Sequence, residues 1–160
     1  MIKSPWLIIT ITILCVDQVS KWLAIHQIKL HMSNAIGPVL NFQLAFNSGS
    51  AFGFLSTVSG WQCGFLIILS IIYSLGILIW ICVLNKKDTR ITYWKAFSLS
   101  FILSGCLGNL IDRIRIGCVI DFINVNFRNW HWYTFNISDS VICIGAALLF
   151  FVTLKEEMIN

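Results

Sequence analysis

Four long apolar runs, at residues 6–25, 61–84, 93–111 and 135–154, divide the polar positions of this chain. Each is close to the ~20 residues that a helix needs to cross roughly 30 Å of hydrocarbon, so four transmembrane helices are expected. Between the first two runs, Leu40, Phe42, Leu44 and Phe46 alternate with Asn41, Gln43 and Ala45. That period of two predicts a short strand with one apolar side. It leads into Asn47-Ser48-Gly49-Ser50-Ala51-Phe52-Gly53, a turn-like stretch in which Gly49 and Gly53 permit conformations that other residues resist. A second alternating stretch, residues 119–127, falls between the third and fourth runs, and the polar connector 85–90 joins the second to the third. The expectation is a single integral membrane domain over residues 1–160, with connecting segments 26–60 and 112–134 on one side of a helical bundle.

Composition agrees. The chain is 58% hydrophobic and 11% charged, against roughly 45–50% and about 25% in ordinary soluble domains. The net charge of +4 reflects basic residues flanking spans, and no face holds enough Lys and Arg to neutralise a row of phosphates, which excludes nucleic acid as a partner. All seven tryptophans fall at or just outside run ends, as an interfacial belt requires. The six cysteines form no CxxC pair and are expected as small buried hydrophobes. Lys3 ahead of the first run imitates a signal peptide, but Asp17 and Lys21 stand where a small-residue cleavage site belongs, so this run is expected to remain as a span. Lys3, Lys86, Lys87, Arg90, Lys95 and Lys155 would share one side, and Lys29, Arg113, Arg115 and Arg128 the other. Six against four favours cytoplasmic termini.

With that topology the unusual polar residues converge. Asp17 and Lys21 come late in the first run, Asn109 and Asp112 late in the third, and Asn136 and Asp139 early in the fourth, while Asn47 and Asp121 lie in the two outer connections. Ionisable groups near hydrocarbon cost several kcal/mol unless paired or hydrated, so one composite site at the outer boundary is the economical account. Asp17 and Lys21, four apart, share a helical face and form either a structural pair or part of that site. His26, His31 and His131 are isolated and offer no metal-ligand spacing, and no Ser or Cys has a base nearby. The carboxylates remain. Two held together in low dielectric cannot both ionise readily, which suits acid–base work on a peptide bond; Asp139 read alone is also an ordinary helix N-terminal charge after a capping Asn136. Arg113, with its rigid fork of donors, is the candidate for gripping peptide carbonyls. Arg115 and Arg128 are expected to meet lipid phosphate or solvent.

The blocks DQVSK (17–21), FNSGSAFG (46–53), GNLIDR (108–113), VIDFI (119–123) and FNISDS (135–140), in this order among four spans, resemble the bacterial signal peptidase II family, the lipoprotein signal peptidases. The resemblance covers nearly the whole chain. It implies an intramembrane aspartyl endopeptidase of the bacterial inner membrane that cuts the signal peptide from a diacylglyceryl-modified prolipoprotein just before the lipidated lipobox cysteine. By position it implies Asp121 and Asp139 as the catalytic dyad. Asp17, Lys21, Asn47, Gly49, Asn109, Asp112, Arg113 and Asn136 would be substrate-binding or supporting. The implied fold is four transmembrane helices with a small β-cradle and a short interfacial helix on the periplasmic face, where the active site would lie. The implied partners are the lipidated substrate and membrane phospholipid, with the enzyme a monomer using no metal or cofactor. Ser50 and Ser138 stand where the family commonly has Ala. The rival is a small proton- or ion-coupled transporter with Asp17, Asp112 and Asp139 as a relay, which requires polar residues spread through the membrane depth.

Overall fold

The computed structural model describes residues 4–28, 33–35, 37–49, 61–84, 90–127, 130–131 and 133–159. Ser50 to Gly53, connector residues 85–89, and Lys3, Lys29, His31, Arg128 and Trp132 lie outside the described residues, and so does any short interfacial helix between 50 and 60. Among the described residues, four helices are long and apolar enough to span: α1 (Ser4–Gln27), α2 (Trp61–Leu84), α3 (Arg90–Ile116) and α4 (Ile137–Ile159). Lipid supplies no partners for backbone N–H and C=O groups, so each apolar segment satisfies them within itself as a helix.

α3 is the inner helix and packs against α1, α2 and α4. Of its most apolar stretch 56% is buried, against 22%, 17% and 11% in α1, α2 and α4, whose remaining surface faces outward. Trp6, Ile81, Ala96, Leu99 and Leu103 form one core cluster between α1, α2 and α3. Trp6 is therefore no belt residue: it is buried and meets Tyr93 edge-on at 4.6 Å, while Trp22, Trp61, Trp80 and Trp94 are exposed. The cysteines also depart from expectation. All six are free thiols, none is fully buried, and Cys15, Cys82 and Cys143 are exposed, at little cost for a small apolar thiol.

At one end of the bundle lies an antiparallel sheet in the order β1 (Ser33–Ala35), β2 (Leu40–Asn47), β3 (Val119–Phe127) and β4 (Trp130–His131). β2 and β3 were legible from their alternation. The single apolar side expected for β2 is interrupted, because a register shift between Phe42 and Ala45 re-aims the strand. Leu44 is consequently buried with Ala24, Ile28, Ile120 and Phe122, and Phe46 is left exposed. After the shift, Ala45 pairs with Asp121 and Asn47 with Val119, which brings Asn47 beside Asp121.

α3 runs five residues past its expected end at 111, so Asp112, Arg113 and Arg115 lie in its last turns rather than in a connecting segment. Cations there complement the helix dipole. Gly117, at φ 77° and donating its N–H to the Arg113 carbonyl, terminates the helix in the left-handed conformation that glycine tolerates. Gly117 and Cys118 are the two residues between the end of α3 and the start of β3.

Candidate active site

The sequence-predicted polar residues are brought together where α1, α3, β3 and the start of α4 meet. On α1, Asp17 and Lys21 are buried, and their Nζ–Oδ2 distance is 2.9 Å. Lys21 reaches across to α3, with Nζ 2.8 Å from Asp112 Oδ2 and donating to Asn109 Oδ1 at 3.1 Å. Its three donors are thus all used. Asp112 Oδ2 also accepts the Ile120 N–H at 3.3 Å, tying β3 to the end of α3. Asp17 Oδ1 accepts the Ser138 N–H at 2.8 Å, one of the orphan donors of the first turn of α4.

Two carboxylates surround one ammonium in this cluster, and the excess is met by a residue not singled out from the sequence. Gln18 Nε2 lies 3.2 Å from Asp17 Oδ2, 3.1 Å from Asp112 Oδ1 and 3.3 Å from the Gly108 carbonyl. The available signal was an amide three residues before Lys21 inside an apolar run. Gly108 permits the crossing: a Cβ there would meet Asp17 Oδ2 at 2.6 Å and clash with Ser138 Oγ.

Two more acids lie on the other side of Asn109. Because Lys21 holds its Oδ1, Asn109 presents Nδ2 to Asp139 Oδ1, at 2.8 Å. Asn136 caps α4, its Oδ1 accepting the Asp139 N–H at 3.0 Å while Asp139 Oδ2 accepts the Asn136 N–H at 3.4 Å, a reciprocal capping box. The same Asn136 donates through Nδ2 to Asp121 Oδ1 at 2.6 Å and to Asn109 Oδ1 at 3.2 Å. Asn136 therefore holds both Asp121 and Asp139, so Asp139 is at once a helix-capping charge and a neighbour of Asp121. Asp121 Oδ2 accepts from Asn47 Nδ2 at 3.1 Å. Asn47 Oδ1 takes the Gly49 N–H at 3.0 Å, and the Gly49 carbonyl accepts from Arg113 at 3.1 Å. Arg113 thus grips a peptide carbonyl, although of its own chain.

Burial pushes the Asp121 carboxyl up to about 7, aided by the nearby charge of Asp139 and opposed by the Asn47 and Asn136 amides and the more distant Lys21. It is poised between acid and base near neutral pH. Asp121 is only 1% exposed and does not line the adjoining cleft, whereas Asp139 does. That cleft, of about 440 Å³, lies over α3 between α2 and α4. Its walls are largely apolar, including Leu66, Leu69 and Ile142, and its polar end is Asn47, Asn109 and Arg113 beside Asp139.

A sequence model of the family described as signal peptidase (SPase) II matches residues 9–155. The chain belongs to the signal peptidase II family. It is 41% identical over 152 residues to a lipoprotein signal peptidase of Polynucleobacter necessarius, covering 95% of this chain and 90% of that one. A lipoprotein signal peptidase of Pseudomonas aeruginosa is 39% identical over 149 residues, covering 92% and 86%. A solved structure described as a bacterial membrane enzyme, obtained by the in meso method at 2.3 Å resolution, superposes with a TM-score of 0.83 at 30% identity, covering 96% of this chain and 90% of that one. As a signal peptidase II, the protein is a multi-pass bacterial membrane protease, and the transporter reading has no support. Of the two serines that depart from the common signal peptidase II pattern, Ser138 is described. Its Oγ is buried with no hydrogen-bond partner among the described residues.

Proposed function

We propose that this signal peptidase II removes the signal peptide from diacylglyceryl-modified prolipoproteins, cutting before the lipidated lipobox cysteine, with Asp121 and Asp139 as its catalytic dyad. The observation that carries the proposal is Asn136, whose side-chain Nδ2 donates to the Asp121 carboxyl and whose backbone N–H donates to the Asp139 carboxyl. Asp139 faces a cleft apolar along its walls and polar at one end, as a peptide segment emerging from lipid requires.

The dyad works with one proton between its two carboxyls. The ionised acid takes a proton from a water, whose oxygen attacks the scissile carbonyl carbon. The other acid gives its proton to the carbonyl oxygen. Collapse of the tetrahedral intermediate breaks the C–N bond: the amine takes the proton that the first acid drew from water, a hydroxyl of the intermediate returns its proton to the other acid as the new carboxyl forms, and the dyad recovers its single proton. Water reaching Asp121 displaces the Asn47 amide from Oδ2. Arg113, which holds the Gly49 carbonyl, has the donors to hold a substrate carbonyl instead. Asn109 and Asn136 orient the acids, and Asp17, Lys21 and Asp112 fix Asn109 and the start of α4.

In this proposal the enzyme is a monomer in the inner membrane, both termini are cytoplasmic, the sheet and dyad sit at the extracytoplasmic face, and phospholipid surrounds the helices. No metal or cofactor takes part. The test is the protein in liposomes, offered one lipobox peptide with and without its diacylglyceryl group. Cleavage of the lipidated peptide alone, unchanged by a chelator, supports the proposal; inhibition by chelator reversed by zinc, or equal cleavage of both peptides, contradicts it.

A further inference from the structure

A second cavity, of about 60 Å³, opens on another face of α3, against α1 and the start of β3, and shares no lining residue with the cleft. Arg115, Lys21, Asp112 and Gln18 supply its polar wall, and Trp22, Ile25 and Ile116 are apolar and exposed beside it. Most of the polar wall is spent inside the protein. Asp112 accepts from Gln18, Lys21 and the Ile120 N–H, and Lys21 serves Asp17, Asp112 and Asn109. Arg115 is exposed and has no hydrogen bond or ion pair among the described residues. The chain has seven acids. Asp17, Asp112, Asp121 and Asp139 are engaged as above. Asp88 lies outside the described residues, and the start of α3 is a helix length of about 40 Å from Arg115. Glu156, paired with Lys95 near the start of α3, and Glu157 are at that same far end. Among the described residues no carboxylate is therefore left for the Arg115 guanidinium.

We infer that this seam is a phospholipid site in which Arg115 grips the phosphodiester of one membrane phospholipid while Trp22, Ile25 and Ile116 meet the beginning of its chains. A guanidinium fork matches phosphate oxygens with paired donors, and an exposed Trp beside it marks the headgroup level. Lys21 is spent on Asp17, Asp112 and Asn109, so the exposed Arg115 guanidinium is the charge that this wall offers an anion. The inference rests on the proposed membrane placement, but its test reads binding instead of cleavage, so either can fail alone.

The protein, Arg115→Gln and Arg115→Lys are titrated with dioleoyl phosphatidylglycerol in dodecyl maltoside, a phosphate-free detergent, and retained lipid is counted by native mass spectrometry. Dioleoylglycerol and inorganic phosphate are the comparison probes. The site predicts one retained phosphatidylglycerol that Arg115→Gln binds about tenfold more weakly, with Arg115→Lys between, and no comparable binding of either comparison probe. Equal retention by the protein and Arg115→Gln overturns the inference, as does dioleoylglycerol binding as well as phosphatidylglycerol. Inorganic phosphate binding as strongly as the lipid overturns it too, leaving a free-anion site.

Discussion

At the scale of single residues, the candidate site is held by amides as much as by charges. Asn136, Asn109, Asn47 and Gln18 each touch at least one carboxylate, and their orientations follow from what their oxygens accept. Asn47 donates to Asp121 and so favours its anion. A carboxyl pushed up to about 7 beside a charged partner loses the proposed dyad's last proton as pH rises through that value. The high-pH limb of kcat/KM is therefore expected near pH 7, and Asn47→Ala moves it to higher pH because a donor to the charged form is gone; pH profiles of reconstituted enzyme read the shift. Ser138 is a simpler case. Its hydroxyl is buried without a partner among the described residues, which costs about 1–3 kcal/mol, so Ser138→Ala is expected to raise the thermal midpoint with little change in cleavage. The position of every charged residue in this network was legible in the sequence. Its connectivity was not, since the pairing of Lys21 with Asp112 and of Asp17 with the Ser138 N–H joins residues 91 and 121 positions apart.

At the scale of elements, helix lengths came from the apolar runs, and helix ends did not. α3 continues beyond its apolar run because Asp112 is neutralised by Lys21, because Arg113 and Arg115 suit a helix C-terminus, and because Gly117 closes it. A Cβ at Gly117 would touch nothing, so the cost of substitution is purely the left-handed backbone. Gly117→Val is expected to lower stability by about 1–2 kcal/mol and Gly117→Asn by less, measured as thermal unfolding in detergent. The β2 alternation predicted a strand but could not reveal the shift after Phe42, which depends on where β3 pairs. That shift decides that Asn47 ends beside Asp121.

At the scale of the whole molecule, four apolar helices around α3 leave a cleft between α2 and α4, and the sheet stands at the end of the bundle that holds the acids. In the proposed orientation, which the basic-residue bias favours, that end lies outside the cytoplasm. In a cysteine-free background, Gly37→Cys, in the exposed turn before β2, is expected to react with an impermeant maleimide applied to intact spheroplasts, and Glu157→Cys, near the end of α4, only after lysis. The reverse pattern contradicts the orientation.

The central claim is tested most directly by rates of prolipoprotein cleavage in liposomes for Asp121→Asn and Asp139→Asn, each with its thermal unfolding recorded alongside. The account predicts that each variant stays folded and loses activity by about a hundredfold to ten-thousandfold or more. A folded variant of either kind that still cuts at near the unsubstituted rate contradicts it.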